Sequence, residues 1–191
     1  MFANHFIGKK ILHSTLAAVL LIAFTSCSSD DSNDTVEVPA ASTTVRASVN
    51  GTEWIGNATS ATVIRIASSN QQRFDITAEN GSNRMTLSCE ASLTNNETIP
   101  VGTYNFTSDP TESNALFTFA YFVGGNSFME HFPEQGTLTI TAVDAANKRI
   151  SGTFSFNGNK VGILQETIVT PETIAITNGS FTNLSYRLMN L

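Results

Sequence analysis

The sequence predicts an all-β domain: an antiparallel β-sandwich, with a flattened β-barrel as the alternative closure of the same strands. Three observations carry that prediction. From residue 43 onward, turn signals recur about every ten residues. Apolar and polar residues alternate at period two, and no stretch shows the 3.6-residue period of an amphipathic helix. Many short strands must pair or close their edges, which sandwiches and barrels both achieve. The sandwich is preferred because several strands are apolar on one face only and nothing demands a cavity.

Each element follows from local pattern. Val45, Ala47 and Val49 alternate with Arg46, Ser48 and Asn50, and Asn50-Gly51 is a two-residue hairpin signal. Trp54 stands on the return strand, and Ala61 to Ala67 is a β-branched run. Phe74, Ile76 and Ala78 alternate with Asp75 and Thr77 before Asn80-Gly81 turns the chain again. The next strand places Met85, Leu87 and Cys89 on one apolar face, so Cys89 is expected to be a buried, inert thiol. A polar loop from Thr94 to Glu97 leads through Ile99 into a strand holding Tyr104 and Phe106. Leu116 to Val123 is apolar on both faces, as a central strand should be. Gly136 to Asn157 is the clearest hairpin, turning between Asp144 and Lys148. Lys160 to Thr170 and Glu172 to Tyr186 are expected as further strands, with a bulge or tight turn at Asn178-Gly179. A Gly-Thr motif at Gly102, Gly136 and Gly152 is read as marking strand starts. Phe74, Phe106, Phe117, Phe119, Phe154, Phe156 and Phe181 are the expected core, each worth roughly 2–3 kcal/mol when fully buried.

Residues 1–26 read as a secretory signal peptide: Lys9-Lys10, an apolar run from Leu16 to Phe24, then small Thr25 and Ser26. The run is shorter than the roughly 20 residues that a membrane span needs. It ends on Cys27 and resembles the lipobox of bacterial lipoproteins, with Phe24 where Leu, Val or Ile is usual. The resemblance implies that Cys27 is lipidated, becomes the first residue after cleavage and anchors the protein in a membrane. Two or more acyl chains hold firmly, at ~0.8 kcal/mol per buried CH₂. Residues 27–42 are rich in Ser, Asp and Thr without hydrophobic period, and are expected to form a disordered acidic tether. That leaves residues 43–191 as one β-domain. Ser29-Asp30-Asp31 resembles the signal that carries Bacteroidota lipoproteins to the outer face of the outer membrane. It implies a lipid-anchored, cell-surface protein, with a periplasm-facing location as the alternative.

Composition narrows the function. The net charge is −6 and no basic stripe exists to neutralise phosphates, which argues against nucleic acid as a partner. About 165 residues remain after cleavage at Cys27, enough to bury a core without disulfides. No Gly-x-Ser-x-Gly elbow, phosphate-cradling glycine loop or calcium loop occurs. His131 is the one histidine after residue 26. With Glu130 or Glu134 it falls short of the usual three or four zinc ligands, and it is read as a solvated loop histidine. No metal or cofactor is expected. A glycosidase needs only two carboxylates, and Glu53, Asp75, Glu79, Glu90, Asp109, Glu112, Glu130 and Glu134 are candidates that sequence does not pair.

Three function classes follow: a non-catalytic module binding a glycan or an envelope protein, which is preferred; a purely structural lipoprotein; and a carboxylate-dependent enzyme acting on glycans. The favoured binding segment is Gly124 to Gln135, GGNSFMEHFPEQ, read as the longest loop. It carries Phe128, Met129, His131 and Phe132, residues suited to stacking on sugars or anchoring a protein. The alternative is that these rings fold back to plug one end of the sandwich.

Val49-Asn50-Gly51-Thr52-Glu53-Trp54, Gly102-Thr103-Tyr104, the Gly136–Phe156 hairpin and Ile176-Thr177-Asn178-Gly179-Ser180-Phe181 together resemble a family of uncharacterised Bacteroidota lipoprotein domains. The resemblance implies an envelope lipoprotein of unknown function and supplies no catalytic residue.

Overall fold

The computed structural model describes residues 40–191. The signal peptide, Cys27 and most of the tether lie outside them. The described strands are β1 (Thr44–Val49), β2 (Thr52–Ile66), β3 (Gln71–Glu79), β4 (Asn83–Ser92), β5 (Gly102–Phe106), β6 (Ala115–Val123), β7 (Asn126–Phe128), β8 (His131–Asp144), β9 (Arg149–Lys160), β10 (Thr173–Ser185) and β11 (Arg187–Asn190). They form one sheet in the order β5-β8-β9-β10-β1-β2-β3-β4-β6-β7, with β11 pairing β2. The fold is all-β and antiparallel, as the alternating pattern requires, except that β11 runs parallel to β2.

The sheet folds over so that its halves face each other like the layers of a sandwich. Phe117 of β6 stacks on Phe156 of β9 with ring centroids 4.9 Å apart, and Phe74 of β3 meets Phe181 of β10 at 6.2 Å. Neither pair belongs to neighbouring strands, so both contacts cross the interior. The expected aromatic core forms, with Phe106 only half-buried. The free ends of the sheet meet at one point, where the Asn114 amide donates to the Asn105 carbonyl at 2.9 Å. Among the described residues no β5–β6 ladder closes the barrel.

Turn chemistry fixes the register. Asn50 and Gly51 both have positive φ, 49° and 82°, the pair that a two-residue hairpin with matching twist demands. Asn178 is also left-handed (φ 52°), and it is the extra residue of a bulge in β10 against β9 and β1. Gly136 and Gly152 do not start strands as expected; they lie inside β8 and β9. A Cβ on Gly152 would fall 2.5 Å from the Phe181 ring and 2.6 Å from the Thr139 carbonyl oxygen, so only glycine lets that ring settle over the sheet.

Two further expectations are corrected. The β-branched run from Ala61 is strand as far as Ile66, where it completes the fifteen-residue β2, whose second half has lost β1 as a neighbour and takes β11 instead. Gly124 to Gln135 is no long loop: Gly124 and Gly125 turn β6 into β7, and β8 begins at His131. Residues 161–172, expected to open with a strand, are irregular instead.

Two segments close the ends. Residues 93–101 insert the fully buried Ile99 at one end, where the Tyr104 hydroxyl donates to the Pro100 carbonyl at 2.7 Å. Ser42 enters at this same end, bonded to the Asn183 carbonyl at 3.0 Å beside Leu184. Residues 161–172 cover the opposite end. From Thr173 to Leu184, β10 separates the two ends by roughly 35 Å at about 3.3 Å per residue.

Candidate functional site

Between β7 and β8 the chain leaves regular strand geometry at Met129 and Glu130. A strand would send consecutive side chains to opposite faces. Here Glu130 and His131 are both inaccessible to solvent, while Phe132 turns outward and is 56% exposed. The two buried side chains hold the irregular loop. Glu130 accepts from the amides of Leu164 (2.8 Å) and Gln165 (3.1 Å) and from the Thr170 hydroxyl. Its carbonyl accepts from the Val161 amide at 2.9 Å. The His131 Nε2 donates to the Pro171 carbonyl at 2.7 Å, because a carbonyl oxygen can only accept. Lys160 reaches the Thr170 carbonyl at 3.4 Å.

Burial by itself pushes the Glu130 carboxyl up. The hydrogen bonds from Thr170, Leu164 and Gln165, together with Lys160, outweigh it and hold the group below the ordinary glutamate value, so it is ionised. Burial and the nearby Glu130 push the Tyr121 phenol up to about 12, so it stays neutral beside the His131 ring, 5.8 Å away.

The loop is also stapled to itself. The Gln165 side chain donates to the Ile168 carbonyl and accepts from the Ile168 amide, both at 2.8 Å. Fixed in this way, the loop exposes Val161, Ile163, Leu164, Ile168 and Val169, the last completely. Five exposed aliphatic side chains within nine residues are an unusual concentration for one surface loop.

The candidate segment thus divides. Phe132 is exposed, Phe128 and Met129 are half-buried, and His131 is buried, so the solvated-histidine expectation is overturned. A histidine with one acceptor and a covering loop belongs to the fold. Among the described residues no group of three or more His, Cys, Asp or Glu side chains is placed to hold a metal ion. Several candidate carboxylates are engaged by neighbours: Glu53 by Arg46, Asp75 by Arg73, Glu79 by Arg84, and Glu134 by Asn157 and Asn159. Cys27 lies outside the described residues. Sequence reasoning missed residues 161–169. Their β-branched content imitates a strand, and the usable signal was the missing alternation in VGILQETIV between Lys160 and Pro171.

A family described as a domain of unknown function (DUF6252) matches residues 41–185. No curated protein and no solved structure matches the chain.

Proposed function

The chain belongs to the DUF6252 family of domains of unknown function, and we propose that it is a lipid-anchored, non-catalytic module that holds a protein partner on its 161–169 loop. One observation carries this reading. The fold buries an ionised carboxylate, Glu130, in order to immobilise a loop whose outward side chains are aliphatic. An immobilised loop loses little conformational freedom when a partner covers it, so more of its burial energy appears as affinity. Aliphatic side chains suit an apolar protein surface. Sugar rings favour flat aromatics, and the nearest exposed one is Phe132 at the loop's foot.

Anchoring completes the proposal. Lipidation at Cys27, following cleavage of residues 1–26, would tether the domain at the cell envelope, on the outer face of the outer membrane as Ser29-Asp30-Asp31 suggests. Ser42 sits roughly 35 Å from the apolar loop along β10, a separation that supports a partner-binding role for the loop at the end away from the tether.

The test is a photo-crosslinking residue at Val169 in the full chain, in its own cells. The expected result is a discrete protein adduct that disappears when Ile163→Asp and Leu164→Asp are added. Adducts no stronger at Val169 than at the exposed Glu53 would refute the reading.

A further inference from the structure

We propose that the outward face of β5, β8, β9 and β10 carries a second binding site, a groove for a neutral oligosaccharide. A cavity of about 430 Å³ opens on this face, within the usual size range of small-molecule sites. The end of β5, at Asn105 to Thr107, forms one wall, and Ala175 to Thr177 of β10 form the other. Gln135, Thr137, Ser155 and Asn157 rise between them.

The chemistry of this face is unusual for an exposed sheet. Surfaces commonly intersperse charges of both signs. Here the outward positions lining the groove are threonine, serine, asparagine, glutamine and one alanine, Ala175, and the carboxylate beside Gln135, Glu134, is bonded to Asn157 and Asn159. Among the described residues, the side-chain amides of Asn105 and Gln135 and the hydroxyl of Thr177 have no hydrogen-bond partner. All three line the groove. Amides and hydroxyls both donate and accept, which is what a ring of sugar hydroxyls requires. The half-buried Phe106 and the exposed Ala175 contribute apolar surface to the same cavity, matching the C–H faces of a pyranose. No lysine or arginine lines it, so phosphorylated or acidic ligands find no counter-charge. Beyond Asn159, its cross-strand partner Phe132 offers an exposed ring on which a further sugar unit can stack. This inference is independent of the apolar loop, because the two sites share no residue of the 161–169 segment.

The experiment is calorimetric titration of the purified full chain with cellohexaose, maltohexaose, xylohexaose and mannohexaose, with hexagalacturonate as a charged comparison. At least one neutral hexasaccharide is expected to bind, and Gln135→Ala combined with Thr177→Val is expected to weaken it roughly tenfold or more. Asp substitutions at Ile163 and Leu164 should leave that affinity unchanged, which separates this site from the loop. The proposal is overturned if no neutral hexasaccharide binds at several millimolar. It is equally overturned if only hexagalacturonate binds, or if the groove variant, with an unchanged thermal melt, binds as tightly as the parent.

Discussion

Replacing Glu130 tests how the loop is held. Alanine at this position removes three acceptor contacts, to the Leu164 and Gln165 amides and the Thr170 hydroxyl. Hydrogen bonds to a charged group are worth about 1.5–3 kcal/mol each, and relief from burying the charge offsets part of the sum. The expected loss for Glu130→Ala is about 2–4 kcal/mol. Glu130→Gln keeps the shape and one acceptor oxygen, and its amide can donate to the Thr170 hydroxyl, so about 1–2 kcal/mol is expected. The loop is a peripheral segment, so part of the loss should appear as local opening. A shift of 2 kcal/mol changes an opening equilibrium roughly 30-fold. Urea melts report the global part, and limited proteolysis between residues 161 and 172 reports the local part. The pH dependence has a definite sign. The folded value lies below the ordinary 4.5, so the native state binds fewer protons there than the unfolded chain. The stabilisation is complete above that ordinary value and is lost as pH falls through the folded one; Glu130→Gln should flatten this acid limb. A cost below about 0.5 kcal/mol for alanine with unchanged proteolysis, or equal costs for alanine and glutamine, would refute the argument.

The remaining predictions concern the core and the anchor. Phe156→Ala removes a buried ring stacked on Phe117 and should cost about 3–5 kcal/mol in urea unfolding; below about 1 kcal/mol, the ring would not be core. The Cys89 thiol is fully inaccessible, and burial, reinforced by Asp75, holds it protonated far above the usual thiol range. A disulfide reagent should therefore label Cys89 only as fast as the domain unfolds. Cys27→Ser should move the protein from the detergent phase to the aqueous phase on detergent partitioning, and continued detergent-phase partitioning would end the lipoprotein reading.

Period-two alternation placed β1, β3, β4 and the β8–β9 hairpin, and Asn50-Gly51 placed the first turn, because side-chain direction along a strand and the conformation of a two-residue turn are local properties. The same pattern put Cys89 in the core correctly. Where chemistry is local, residues suffice.

The candidate site was legible only in part. Phe132 was named as a contact residue and is exposed, yet its neighbour His131 was read as solvated, Glu130 was left as one unpaired carboxylate among eight, and the 161–169 segment was read as strand. What buries Glu130 and His131 is a loop more than thirty residues later in the chain, and that loop is fixed only once β8 and β9 have paired. Gly152 makes the same point within the sheet: its missing side chain matters because Phe181, a strand away, lies across it. The sequence by itself determined that this protein is built of strands and where β1, β3 and β8 turn. Only the tertiary structure decided which of two adjacent residues meets water, because burial depends on what distant segments the fold brings over them.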